Sequence, residues 1–169
     1  MKVLIAYSSR TGNTKKIAKA LYDAAPEGTV LTNIDEHPNP NEFDFIFAGY
    51  WVDRGAPDAK AQAFLRTITK KKVVLFQTLG ANPTSDHAYT VFANAGTYLS
   101  EGNQVVGLFA SQGAIDPALV EMMKKLPTGN AHNSPQMEVT VKEATLHPNE
   151  EDLKRAKTYM KSIIAKFHQ

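Results

Sequence analysis

Six residues near the amino terminus, residues 9–14, limit the folds open to this chain more than any other segment does. They follow an apolar run at residues 2–7, which is typical of a buried strand, and precede residues 15–21, whose apolar spacing predicts a helix. The first amides of a helix have no intrahelical partner and carry the positive end of the helix dipole. Such a junction, with Gly12 free to take a positive φ, is suited to binding a phosphate.

All six residues of this turn are candidate phosphate ligands: Ser9, Arg10, Thr11, Gly12, Asn13 and Thr14. Backbone amides and hydroxyl groups donate hydrogen bonds to phosphate oxygens, and Arg10 either adds positive charge or lies exposed. The alternative is an ordinary capped helix start, because serine, threonine and asparagine are also the usual capping residues. Five suitable residues among six favour the phosphate site over the simple cap.

Apolar strands and amphipathic helices alternate along the whole chain. The predicted strands are residues 2–7, 29–34, 43–49, 73–77 and 105–110. This alternation predicts an α/β fold, a doubly wound five-stranded parallel sheet covered by helices on both faces. For such a sheet we expect 2-1-3-4-5, one of the two common doubly wound strand orders. A length of 169 residues fits one domain that spans residues 1–169.

Loops that follow neighbouring parallel strands meet at one edge of the sheet. In the predicted strand order, strands one, three and four are neighbours, so residues 9–14 lie beside the loops at residues 50–56 and 78–83. One ligand is then able to place a phosphate on the first loop and an aromatic ring between the other two. Trp51, the only tryptophan, is either the residue that stacks on that ring or a partly buried anchor.

The remaining helices are predicted from caps and apolar spacing. One begins at Pro57, and another begins at Asp116 and Pro117. The helix after Asp116 is expected to bury Leu119, Val120, Met123 and Leu126. Residues 127–148 are rich in proline and are expected to be irregular. The last helix, from about residue 150, is expected to bury Leu153, Ala156, Met160, Ile163, Ile164 and Phe167.

Composition excludes several classes of function. The chain has no cysteine, which rules out disulfides, thiol catalysis and cysteine metal sites, and its five histidines show no metal-binding spacing. The 19 basic and 17 acidic residues give a net charge of +2, too small to indicate a nucleic-acid or membrane partner. The first apolar run is too short for a signal peptide or a membrane span, so we expect a cytoplasmic protein.

The motif at residues 9–14, placed directly after the first strand, resembles the loop with which the flavodoxin family holds the phosphate of flavin mononucleotide (FMN). Gly49 followed by Trp51 is similar to the family's first flavin-edge loop, and residues 78–81 stand where its second loop lies. The resemblance covers nearly the whole chain and implies FMN as the cofactor. Beyond the turn, it implies these cofactor-binding residues: Tyr50, Trp51, Val52, Asp53, Arg54, Gly55, Thr78, Leu79, Gly80 and Ala81. It leaves open whether Tyr89 or Gln112 reaches the flavin.

The resemblance implies an FMN-binding electron carrier that passes electrons to or from a partner redox protein and has no catalytic residue or metal of its own. We expect a monomer or a weak dimer. The alternative is an FMN-dependent enzyme that oxidises NAD(P)H and reduces a quinone-like small molecule. A third hypothesis is a module without redox activity that binds a phosphate-bearing ligand.

One departure from the family concerns charge. Electron-carrying flavodoxins are strongly acidic, whereas this chain has a net charge of +2. Residues 51–55 and 78–81 are closer to a group of small bacterial flavodoxin-like proteins. One protein of that group accompanies a flavoenzyme that reduces bilirubin in gut bacteria.

Overall fold

The computed structural model of the protein describes residues 1–167, so that His168, one of the five histidines, lies outside the described range. The strands are β1 Val3–Tyr7, β2 Val30–Asn33, β3 Phe45–Asp53, β4 Ala56–Pro57, β5 Lys72–Leu79 and β6 Gln104–Gln112. The α-helices are α1 Asn13–Tyr22, α2 Ala59–Thr67, α3 Asp86–Gly96, α4 Pro117–Lys124, α5 Pro135–Ala144 and α6 Glu150–Phe167. Two short 3₁₀ helices, Ile34–Glu36 and Pro40–Glu42, connect β2 to β3.

Five of the strands form a parallel sheet in the order β2-β1-β3-β5-β6. Counted without the two-residue strand β4, this is the predicted order 2-1-3-4-5, and the α/β prediction is confirmed. The order brings the carboxyl ends of β1, β3 and β5 side by side, with Tyr7 opposite Gly49 and Trp51 opposite Thr78. The loops that carry the candidate residues therefore share one edge of the sheet.

The prediction that residues 50–56 form a loop is wrong for most of that segment. β3 continues to Asp53 and turns back into β4, so that Val52 pairs with Pro57 in an antiparallel hairpin. Arg54 and Gly55 form the turn, with φ angles of 51° and 77°. A two-residue turn with positive φ at both positions matches the twist of a hairpin, which is why the chain reverses here.

Two hydrophobic cores lie on opposite faces of the sheet, because alternate residues of a strand point to opposite sides. In β1, Val3 and Ile5 pack with α1 and α6, whereas Leu4 and Ala6 pack with α2 and α3. The predicted stripe of α6 is confirmed, with Ala156, Met160, Ile163 and Ile164 buried and Leu153 and Phe167 partly buried. Among the helices of residues 1–167, none is long and apolar enough to cross a membrane.

The chain between β6 and α6 differs from the sequence prediction in two respects. None of the residues of α4, all of which the structure describes, is buried, and the predicted core residues Leu119 and Leu126 are 40% and 38% exposed. Residues 127–148 are not irregular throughout, since α5 forms there with Ser134 as its cap and Pro135 at its first position. This cap signal is local, but the prolines on either side of it favoured an irregular segment.

Candidate functional site

The turn between β1 and α1 has an open backbone surface at Gly12. Gly12 adopts a φ of +100°, and a Cβ added to it would meet no atom within 4 Å. Its own amide donates to Ser9 Oγ at 3.1 Å, and its carbonyl oxygen accepts from the amide of Lys16 at 3.0 Å. These two hydrogen bonds hold the left-handed conformation, and the backbone of Gly12 faces open space on the side where other residues carry a Cβ.

The amino end of α1 offers free hydrogen-bond donors to that space. Within residues 1–167, the backbone amides of Thr11, Asn13 and Thr14 have no acceptor, whereas the amide of Lys15 donates to Ser9 Oγ at 3.3 Å. The first turn of α1 has no acidic residue either. Unpaired amides at the positive end of a helix dipole, with hydroxyl groups beside them, form a donor set that suits a phosphate.

A buried pair of hydroxyl groups connects this turn to β5. Thr14 Oγ1 and Thr78 Oγ1 are 2.7 Å apart, and both residues are buried. One hydroxyl donates to the other, and the one that accepts keeps its own proton for a further partner. The predicted neighbourhood of the first loop and the end of the fourth parallel strand is therefore present as a direct contact.

The lone tryptophan lies next to the same turn. The guanidinium carbon of Arg10 is 5.4 Å from the centroid of the Trp51 ring, which is partly exposed. Arg10 Nε also lies 3.1 Å from Asp116 Oδ2, in the loop after β6. Arg10 thus spans the gap between the first loop and the tryptophan, and its partner Asp116 was not among the predicted site residues.

The other residues of the first flavin-edge segment contribute in different ways. The Tyr50 side chain is fully buried and its hydroxyl donates to Gln77 Oε1 at 3.0 Å, so that only its backbone is close to the sheet edge. Burial raises the pKa of Tyr50. Val52, Asp53, Arg54 and Gly55 belong to the hairpin, whose turn is fixed to α3 by a 2.7 Å hydrogen bond from Asn94 Nδ2 to the carbonyl oxygen of Gly55.

The second predicted loop is closely covered by the end of β6 and by the residues that follow it. A Cβ added to Gly80 would lie 2.3 Å from Ile115 Cγ1, and Gln112 Nε2 donates to the Gly80 carbonyl oxygen at 2.8 Å. Leu79 is buried and Ala81 is partly buried. The sequence left open whether Tyr89 or Gln112 reaches the flavin. Gln112 contacts this loop, whereas Tyr89 lies on α3 with 58% of its surface exposed.

The loop after β6, residues 113–116, belongs to the site and was not predicted. Asn13 Nδ2 donates to the Ala114 carbonyl oxygen at 2.9 Å, and a Cβ on Gly113 would lie 2.7 Å from that same nitrogen. The rule that predicted the other three loops applies here also, because β6 is parallel to them and ends at the same edge. Gly113 directly after an apolar strand was the available signal.

Asp58 is a second residue that sequence reasoning missed. It caps α2, so the helix begins at Ala59, two residues later than the predicted start at Pro57. Its carboxyl group is buried and accepts a 2.8 Å hydrogen bond from the Oγ of Ser8, the residue directly before the turn at residues 9–14. Burial raises the pKa of Asp58, and the hydrogen bond from Ser8 and nearby backbone amides partly oppose that shift. Across the part of the chain that the structure describes, no cluster of side chains is suited to hold a metal ion.

Comparison with known proteins gives consistent results. The model of the flavodoxin domain family matches residues 4–161. The flavodoxin-like domain-containing protein BilS of Clostridioides difficile (strain CD3) is 32% identical over 173 residues, which cover 98% of each chain. The flavodoxin of Streptococcus pneumoniae TIGR4 has a TM-score of 0.62 at 16% identity, covering 98% of this chain and 99% of that one. A flavoprotein of Lactobacillus acidophilus NCFM in complex with FMN has a TM-score of 0.52 at 18% identity, covering 64% of this chain and 92% of that one.

Proposed function

Because the chain belongs to the flavodoxin family, we propose that it binds FMN at the edge where β1, β3 and β5 end, and that it passes electrons to or from a partner redox protein. One observation carries the proposal. The turn at residues 9–14, which we call the phosphate turn, carries the unpaired amides and the open Gly12. Its Arg10 places the guanidinium carbon 5.4 Å from the centroid of the Trp51 ring. A ligand with a phosphate at one end and a flat aromatic ring at the other matches this arrangement.

The phosphate end of FMN is held by the turn at residues 9–14. The free amides of Thr11, Asn13 and Thr14 donate to phosphate oxygens, together with the hydroxyl groups of the turn. Gly12 permits the approach because it has no side chain on the open face. Arg10 is half-exposed, so its guanidinium is free to exchange Asp116 for the phosphate at little cost.

The ring end of FMN lies between the hairpin and the second loop. Trp51 stacks on the ring, an interaction that contributes about 0.5–1.5 kcal/mol beyond the buried area. The backbone of residues 52–55 and of residues 78–81 lines the ring's edges. When bound, FMN supplies the redox chemistry, and the chain's own residues bind it, orient it and exclude water from one of its faces.

An electron carrier needs no general acid or base, and a partner protein supplies and removes its electrons. An FMN-dependent enzyme that oxidises NAD(P)H would instead need a second nucleotide site. The family match and the relative BilS support the flavoprotein class, and the choice between carrier and enzyme is tested directly by experiment.

Two measurements on the purified protein test the proposal. Reconstitution with FMN should give a yellow protein with a flavin absorption band and one FMN per chain. The reconstituted protein should not oxidise NADH or NADPH at a steady rate when a quinone is the acceptor. A protein that neither takes up FMN nor quenches its fluorescence would refute FMN binding. Steady NAD(P)H oxidation would instead show that the protein is an FMN-dependent enzyme and not an electron carrier.

A further inference from the structure

Asp58 has a side chain that the proposed function leaves unused. The residue is 2% exposed, and its Oδ1 accepts hydrogen bonds from Ser8 Oγ at 2.8 Å and from the amide of Ala61 at 3.3 Å. Its Oδ2 is buried and, within residues 1–167, has no hydrogen-bond partner. A buried carboxyl group with an unpaired oxygen is costly, so its position calls for an explanation beyond capping a helix.

Capping alone does not require this burial. Among the caps of α2 to α5, all within the described range, Asp58 is buried, whereas Ser85, Asp116 and Ser134 are each partly exposed. A partly exposed cap satisfies a helix amide while part of its side chain stays in contact with water. What distinguishes Asp58 from the other three is its contact with Ser8.

The contacts of Asp58 join the two halves of the ligand site. Ser8 is the last residue before the phosphate turn, and its amide donates to the carbonyl oxygen of Gly49 at 2.9 Å. The amide of Asp58 donates to the carbonyl oxygen of Trp51 at 3.1 Å. Asp58 therefore ties the entry of the phosphate turn to the strand that carries the tryptophan.

We propose that Asp58 is a positioning residue of the flavin site, whose carboxyl group holds Ser8 and thereby fixes the phosphate turn in the conformation that accepts FMN. This inference rests on the proposed function. The side chain acts through Ser8, because the link to Trp51 uses the backbone amide and survives any substitution other than proline. Loss of the side chain should thus affect the phosphate more than the ring.

A double-mutant cycle on the full chain tests this role. Dissociation constants for FMN and for riboflavin, which lacks the phosphate, are measured for the wild type, Asp58→Ala, Ser8→Ala and the double variant. Each single variant should bind FMN about tenfold more weakly and riboflavin with little change, and the double variant should be no weaker than either single one. Asp58→Asn keeps an acceptor for Ser8 and should restore FMN binding.

Ser134→Ala is the matched control, because it removes the cap of α5 without touching the phosphate turn. It should lower the stability but leave both dissociation constants unchanged. Far-UV circular dichroism checks that each variant is folded, and if Asp58→Ala does not fold, Ser8→Ala and Asp58→Asn suffice. Equal weakening of FMN and riboflavin, additive effects in the cycle, or unchanged FMN binding by Ser8→Ala would each overturn the positioning role alone. A wild type that binds neither flavin would overturn the proposed function itself, and the positioning role with it.

Discussion

Replacing Gly12 by alanine separates the conformational role of this residue from its role in ligand binding. Gly12 has a φ of +100°, and its backbone is held by hydrogen bonds to Ser9 and from Lys16. A residue with a Cβ in the left-handed region costs about 1–2 kcal/mol, and no protein atom lies close enough to add a clash. We therefore expect Gly12→Ala to lower the free energy of unfolding by about 1–2 kcal/mol.

The effect on FMN binding should be larger, because the added methyl group projects into the space assigned to the phosphate. Loss of one hydrogen bond to a charged group costs about 1.5–3 kcal/mol. That range corresponds to a roughly 10- to 150-fold weaker dissociation constant. Riboflavin, which has no phosphate, should lose much less affinity.

Gly129→Ala provides a closely matched control. Gly129 has a φ of +97° and also no atom within 4 Å of an added Cβ, but it lies in the turn between α4 and α5. Urea unfolding followed by Trp51 fluorescence gives both stabilities, and quenching of flavin fluorescence gives both FMN dissociation constants. The two variants should lose similar stability, and Gly12→Ala alone should lose FMN affinity. Equal FMN affinities for the two variants would refute the assignment of the phosphate turn.

Three further predictions follow from single contacts. Burial raises the pKa of Asp58 above its ordinary value of 3.8, so its stabilising contribution is present below that value and is lost as the pH rises through the raised pKa. The unfolding free energy of Asp58→Asn relative to the wild type should therefore increase as the pH rises above 3.8, and a constant difference would contradict the burial argument. In Gly49→Ala the new Cβ would lie 2.0 Å from the Phe76 ring, so the free energy of unfolding in urea should fall by about 1–3 kcal/mol. An unchanged free energy of unfolding would show that Phe76 moves to make room for the methyl group. Arg10→Ala should change the stability by less than about 1 kcal/mol, since the ion pair with Asp116 is partly exposed, but it should shift the tryptophan fluorescence of the ligand-free protein. An unchanged emission spectrum would show that the guanidinium does not lie over the ring in solution.

The sequence predicted the α/β fold and the shared edge of the sheet where the candidate loops lie. The strands and the α6 stripe followed from hydrophobic periodicity, which is a property of each element, and the strand order followed from the known orders of doubly wound sheets. The hairpin at Arg54 and Gly55 was missed because the usual turn signals there are Asn-Gly or Asp-Gly. The exposure of α4 was missed because an apolar helical face does not by itself indicate what it packs against.

What residues 9–14 alone determine is a helix start with open donors and a glycine in the left-handed conformation, since these are consequences of local backbone geometry. Only the tertiary structure decides which distant groups meet that turn. Ser8 and Asp58 are 50 residues apart in sequence, and Asn13 and Ala114 are 101 apart. Such contacts depend on how the sheet edge brings separate loops together and on which side chains then find partners within 3 Å, and no local pattern in the chain encodes that choice.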